Sequence, residues 1–278
     1  AITHSFATIA TGGFSTKNAS IASFNSSSVE IIIIIFMTLS ALNFVMLFSV
    51  ISGNFKEFFK SVIVRYFILL FFVTAVISAI SLLGNYYDNY WDSFRNALFN
   101  IVSMGTSTGF ATTDTSVWPG YIQLLLMFLA IQGGCAGSTS GGIKVDRMLI
   151  FFKEFIINLK KLMHPKAVFT VKLDNHVIKD DFVRKTMLFI ASYISIIFIS
   201  AILLVAIGVG FIEAFSGSIV CMGGVGPGLG TIGSMGNYFL LPTFAKFILS
   251  IVMLFGRLEI FALLIFLTPA QWRRSVAY

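Results

Sequence analysis

Apolar residues run through this chain in long uncharged blocks, separated by short clusters of glycine, threonine and serine. Residues 31–50 and 66–83 contain no Asp, Glu, Lys or Arg. Each matches the roughly 20 apolar residues that cross a hydrocarbon core as a helix, so both are read as transmembrane helices. Residues 187–212 also reach spanning length, and residues 241–267 do so while carrying Lys246, Arg257 and Glu259. Between these blocks lie shorter apolar runs at 94–104 and 211–222. At 1.5 Å per residue, about ten helical residues reach only halfway through a core roughly 30 Å thick. The short runs are therefore expected to be re-entrant half-helices.

The pattern repeats. A spanning helix, a half-helix, a Gly/Thr-rich turn and another long apolar helix follow one another at 66–83, 94–104, the turn GTSTGFATTD at 105–114, and a helix from Tyr121. They recur at 187–208, 211–222, the turn GGVGPGLG at 223–230, and 241–267. The opening ATIATGGFSTKN followed by 31–50 has the form of the second half of a further copy. Non-helical backbone at membrane depth is tolerated only where it is buried in protein or lines a polar cavity, so these turns should line a pore. A half-helix entering from outside presents its partially negative C-terminal end to the membrane centre, which favours a cation.

Overlaying the turns sets Ala10-Thr11-Gly12 on Ser107-Thr108-Gly109 and on Gly224-Val225-Gly226. The glycine at the third place would let successive carbonyls turn to one axis and replace the water shell of a dehydrated ion. Matching the preceding helices by IVSMG and IVCMG instead shifts the overlay by one residue.

Composition agrees with a lipid-embedded chain: 57% of the 278 residues are hydrophobic and 11% are charged. The net charge of +7 is distributed between apolar blocks, without the basic patch and interleaved aromatics of a nucleic-acid binder. Lys56, Lys60 and Arg65, the basic stretch 144–185, and Arg273 and Arg274 should face the cytoplasm, whereas residues 85–92, with Asp88 and Asp92 and no cation, should face out. Cys135 and Cys221 read as small buried residues. His4, His164 and His176 are isolated, and no catalytic or metal-ligand constellation is present, so an enzyme is not expected. No cleavable signal is visible, and the chain is expected to begin in mid-domain.

Two further features stand inside the apolar blocks. Arg257 follows Gly256 within 241–267, where a buried guanidinium is functional by default. Glu259, two residues on, lies on another helix face and is not its obvious partner; an arginine paired structurally to another helix or to a carbonyl is the alternative. The run GGCAGSTSGG at 133–142 cannot hold a stable helix. A phosphate loop is excluded because Ile143 separates Gly142 from Lys144 and no strand precedes it. A tight packing kink and a flexible intramembrane loop both remain open.

ATIATGGFST at 7–16, STGF at 107–110, GPGLG at 226–230 and GRLEIFALLIFLTPAQWRR at 256–274 resemble the signatures of the TrkH subunits of bacterial potassium uptake systems, within the Trk/Ktr/HKT superfamily. The resemblance implies an all-α membrane protein in which helix, re-entrant half-helix, filter loop and helix recur around a pseudo-fourfold pore. Residues 1–60 would end the second repeat, 61–185 form the third, and 186–278 form the fourth. It implies potassium as the transported ion at Ala10, Thr11, Gly12, Ser107, Thr108, Gly109, Gly224, Val225 and Gly226. Gating is implied for Arg257, projecting below the filter, and for a loop containing Gly133, Gly134, Gly137, Ser138, Thr139, Gly141 and Gly142. The implied partners are a second copy of the chain and a cytosolic TrkA-like subunit that holds the nucleotide, with no cofactor on this chain. The implied place is the bacterial inner membrane. In this superfamily serine in place of the first filter glycine goes with sodium permeation, so a sodium-permeable relative is one alternative. An H⁺- or Na⁺-coupled secondary transporter, with 133–142 as its unwound site, is the other.

Overall fold

The computed structural model describes residues 1–167, 169–174, 176–258 and 260–267. Glu259, Arg273, Arg274 and the rest of the tail lie outside the described residues. Two helices, α5 (Val62–Leu82) and α9 (Asp180–Ala206), are long and apolar enough to cross a membrane. Only 39% and 33% of their most apolar windows are buried by protein. Ile68, Leu69, Phe72, Ile77 and Ile80 on α5 and Phe198, Ile199 and Ile202 on α9 are exposed, rows that lipid rather than water must cover.

The half-helices have the opposite surroundings. In α6 (Tyr90–Gly105) every residue from Phe99 to Gly105 is buried, and in α10 (Phe211–Gly223) every residue from Ser216 to Gly223 is buried. Each packs against the span that precedes it, α6 on α5 and α10 on α9. Ser93 Oγ donates to Ala79 O at 2.7 Å, and Asn89 accepts from Trp91 N to start α6. At Gly105 a Cβ would stand 2.4 Å from the Phe71 ring, so glycine sets how closely α6 approaches α5. α6 is 16 residues long, about 24 Å, which is longer than its apolar run but still short of a 30 Å core. The preceding short helix, α1 (Ile2–Ile9), packs on α2 (Ser27–Ser40).

Three expected long helices are interrupted. Residues 31–50 form α2 and α3 (Phe44–Ile51), which meet at 107°. Asn43 causes the break: its Oδ1 accepts from Val45 N at 2.8 Å and Met46 N at 3.2 Å, capping α3, while its Nδ2 donates to Ala136 O at 2.7 Å. The helix expected from Tyr121 is α7 (Gly120–Gln132), 13 residues, too short to span by itself. It stops at Gly133, whose φ of 69° ends the helix. The block 241–267 divides into α11 (Thr243–Arg257), closed by Leu258, and α12 (Ile260–Leu267).

At the end of α5 that follows α4 (Phe55–Lys60), the basic segments gather. The amphipathic α8 (Val145–Met163) ends at His164, before Pro165, and leads to a small antiparallel ribbon of β1 (Lys172–Leu173) and β2 (His176–Val177). This ribbon is the one departure from an all-helical fold among the described residues. Asp174, in its turn, bonds Ser61 and Val62 at the start of α5, so the cations on both segments share one end of the molecule. Residues 85–92 lie past the far end of α5, as the charge pattern predicts.

Candidate ion-conduction site

The three half-helices end in the same way. Thr11 N, Ser107 N and Gly224 N each donate three residues back, to Thr8 O, Met104 O and Cys221 O. Gly12 N, Thr108 N and Val225 N each donate five residues back, at 2.8, 2.9 and 2.8 Å. Positive φ then recurs at alternate positions: Thr11 and Gly13, Ser107 and Gly109, Gly224 and Gly226. These bonds fix the register and correct the overlay in the first turn. Gly13, not Gly12, is the structural counterpart of Gly109 and Gly226, and Ala10 is the helix cap that precedes the turn. In the other two turns the glycine register stands, and the IVSMG match is offset from it by one residue.

The turns stand side by side. A Cβ on Gly13 would lie 1.9 Å from Thr108 O, and one on Gly109 would lie 2.1 Å from Val225 O. At Gly226 the same position has no heavy atom within 4 Å. Glycine is thus required where each turn meets the carbonyl of the next. The carbonyl oxygens of Thr11, Gly12, Ser107, Thr108, Gly224 and Val225 receive no hydrogen bond among the described residues. Ser107 and Thr108 are nevertheless buried at 1% and 0% exposure. Buried carbonyls without donors are costly unless something else coordinates them, and a row of them suits a dehydrated cation. The turns are braced from behind by Ser103 Oγ, which donates to Phe110 O at 2.6 Å, and by the Tyr238 hydroxyl, which donates to Gly226 O.

Residues 133–142 lie against these turns and touch all three. Gly141 N donates to Ser107 Oγ at 2.6 Å, Thr11 Oγ1 donates to Thr139 O at 3.0 Å, and a Cβ on Gly141 would stand 2.0 Å from Gly223 O. The loop is closed at its base by Ile143 N to Ile131 O, Lys144 N to Gln132 O and Val145 N to Gly134 O. It also completes the broken helix α2, since Cys135 N and Thr139 N take Ala41 O and Ser40 O, carbonyls the break has freed. Gly134 and Gly137 pack on Ala41 and Asn43 too closely for a side chain. Ser138 Oγ pairs with Ser140 Oγ at 2.7 Å. Lys144 Nζ donates to Ser140 O.

Arg257 reaches the same loop from α11. Its Nη1 donates to Thr139 O at 2.9 Å, so one carbonyl receives both the guanidinium and the Thr11 hydroxyl. The described residues leave Arg257 exposed at the end of α11, so within this chain its guanidinium is not enclosed as expected.

A chain with enclosed half-helices, three matching turns and a loop beneath them has known counterparts. The family model described as TrkH, cation transport protein, matches residues 1–273. The chain belongs to the TrkH family. The Trk system potassium uptake protein TrkH of Escherichia coli strain K12 is 40% identical over 275 residues, covering 98% of this chain and 56% of that protein. The namesake in Vibrio parahaemolyticus is 39% identical over 277 residues, covering 98% and 57%. The crystal structure of the potassium transporter TrkH from Vibrio parahaemolyticus superposes with a TM-score of 0.91 at 37% identity, covering 98% of this chain and 58% of that one. This TrkH-family chain thus spans little more than half the length of the relatives it matches.

Within this TrkH-family fold, several site residues carried no signal in the sequence. Ser107 Oγ as an acceptor from the loop, Ser40, Tyr238 and the Tyr66–Gln132 hydrogen bond involve single polar residues in apolar text, and their roles depend on what folds opposite them. Asn43 alone carried a readable cue, a capping residue inside an apolar block.

Proposed function

We propose that the protein carrying this chain takes up potassium across the bacterial inner membrane through a gated pore, as the ion-conducting subunit of a Trk-type system. The observation that carries the reading is the row of three side-by-side turns whose carbonyls lack donors, those of the buried Thr11, Ser107, Thr108 and Val225 among them, with a loop packed on all three. The filter is formed by carbonyls of 11–13, 107–109 and 224–225, while Gly226 O is held by the Tyr238 hydroxyl. The side of Gly226 that corresponds to the contacts of Gly13 and Gly109 is open, and the repeats close about a pseudo-fourfold axis. Potassium rather than sodium rests on the names of the relatives, with glycine kept at Gly13, Gly109 and Gly226 in the three turns of this chain. Residues 133–142 and Arg257 close the pore below the filter, and Arg257 adds a positive charge that opposes cation passage. A second copy and a cytosolic nucleotide-binding subunit of the TrkA type are the partners.

Full-length protein in planar bilayers tests this. Ohmic currents that reverse near the potassium equilibrium potential are expected. Saturable flux with a fixed H⁺ or Na⁺ stoichiometry would establish a coupled carrier instead, and reversal governed by sodium would establish a sodium-permeable relative.

A further inference from the structure

Ser61 is the N-cap of α5, yet its side chain caps nothing. The cap comes from Asp174, in the turn of the β1–β2 ribbon. Its Oδ1 accepts from Val62 N at 2.7 Å and its Oδ2 from Ser61 Oγ at 3.0 Å. A carboxylate at a helix N-terminus satisfies an orphan N–H and complements the helix dipole. To reach it, Asp174 adopts φ 45°, a left-handed conformation that Asp and Asn tolerate better than most residues.

Both flanks of the 133–142 loop lead to this ribbon. Upstream, Gln132 ends α7, fully buried, and its Oε1 accepts from the Tyr66 hydroxyl at 3.2 Å. Tyr66 stands on α5 about one helical turn beyond the Asp174 cap. Downstream, α8 leaves the loop at Val145, and Ile150 forms a small separate core with Val171 before the ribbon and Val183 of α9. Lys153 then donates to Lys172 O at 2.6 Å. The ribbon is therefore tied to α5, which holds the upstream flank, and to α8, which is the downstream flank.

We propose that Asp174 is a positioning residue for the pore gate, through which the ribbon clamps the two flanks of the loop together and keeps the loop against the filter turns. This rests on the pore reading above and deepens it. The loop's base ladder joins 131–134 to 143–145, so a shift of α7 against α8 is carried directly into the loop. The clamp resists that shift from the cytoplasmic end. Releasing Asp174 frees α5 from the ribbon, and breaking Tyr66–Gln132 frees the upstream flank from α5. Both raise the open fraction without touching a filter carbonyl.

The test is potassium flux per folded protein, with the potassium-to-sodium permeability ratio, for full-length protein in vesicles. Asp174→Ala and Tyr66→Phe should each raise flux roughly 2- to 30-fold, the range of couplings carried by such networks, at an unchanged permeability ratio. Asp174→Asn, which keeps a cap acceptor and tolerates the left-handed turn, should return flux toward wild type. The double variant should not exceed the larger single effect, because both act on one path. Unchanged or lowered flux in Asp174→Ala and Tyr66→Phe, beside a conducting wild type, overturns the clamp and leaves the pore standing. Should Asp174→Ala fail to fold, Tyr66→Phe decides alone: raised flux supports the clamp and unchanged flux overturns it. A wild type that carries no cation overturns the pore reading and this one with it.

Discussion

Gly12 and Gly13 are neighbours with opposite constraints. A Cβ on Gly13 meets Thr108 O at 1.9 Å and must adopt φ 64°, whereas the nearest atom to a Cβ on Gly12 is in the flexible Phe14 ring, at 3.4 Å. The left-handed conformation alone costs an alanine about 1–2 kcal/mol, before the clash is added. Gly13→Ala should therefore reduce potassium flux more than about tenfold or alter selectivity, and Gly12→Ala should leave both within about twofold, given that a 1.4 kcal/mol change is a factor of ten. A larger effect of Gly12→Ala than of Gly13→Ala in a flux assay would place the filter glycine at Gly12 after all. The sequence misplaced it because ATGG offers two adjacent glycines, and the left-handed residues that fix the register in two turns are Thr11 and Ser107, types that announce no positive φ. Arg257 was legible as a charge in an apolar block, but its partner was not, since a backbone carbonyl of Thr139 leaves no mark on a sequence. Arg257→Ala removes the guanidinium from that carbonyl and leaves the Thr11 hydroxyl on it, so flux should rise with selectivity retained. Single-channel open probability measures this, and an unchanged value would confine Arg257 to a structural role.

Among the elements, the uninterrupted spans were the most readable, because a run of apolar residues at spanning length has few other uses; α5 follows its run closely, whereas α9 begins seven residues before the run at 187–212 and ends six residues short of it. The breaks in α2–α3 and α11–α12 were read through, although each carries a polar cue, Asn43 at the first and Arg257 at the second, because the residues on either side are apolar enough to continue a span. What stops α2 is Asn43 answering Ala136, more than ninety residues away, and what stabilises the freed carbonyls is the 133–142 loop. The loop itself was legible from its glycines. Deleting several of its residues should increase flux while the permeability ratio stays constant, since the filter carbonyls remain; a dead protein that still folds would identify the loop as part of the filter scaffold. A second inter-element contact is electrostatic. Glu30 of α2 and Arg95 of α6 pair at 2.8 Å with side chains 8% and 17% exposed, and Arg95 also meets Asp92 at 3.2 Å. Arg95→Ala leaves a carboxylate buried without its partner, so the detergent-solubilised protein should lose about 3 kcal/mol of stability. Adding Glu30→Ala should recover part of that loss, and a strictly additive double variant in thermal melts would show that the two groups do not interact.

At the scale of the whole molecule, lipid-facing spans flank half-helices whose C-terminal ends are buried in α6 and α10, and the half-helices deliver three turns to one place. The polar atoms of those turns set the final consequence. Carbonyl oxygens of Ser107, Thr108 and Val225 are withdrawn from water, receive no hydrogen bond among the described residues, and lie beside neighbouring turns of the same sign. Their dipoles repel one another, and a bound cation converts that repulsion into attraction. The permeant ion is then a structural component of the filter and stabilises the folded protein by mass action. At a concentration one hundred times the dissociation constant the gain is about 2.7 kcal/mol. Replacing an impermeant organic cation by potassium at constant ionic strength should raise the melting midpoint of the full-length protein, with sodium giving a smaller rise. Constant ionic strength separates this from general screening, which acts equally for all monovalent cations. Gly13→Ala, which distorts one turn, should abolish most of the potassium-specific increment, whereas Asp174→Ala, remote from every filter carbonyl, should retain it. A midpoint indifferent to the choice of cation in the wild type would mean that the turns hold no ion, and that the orphan carbonyls are met in another way.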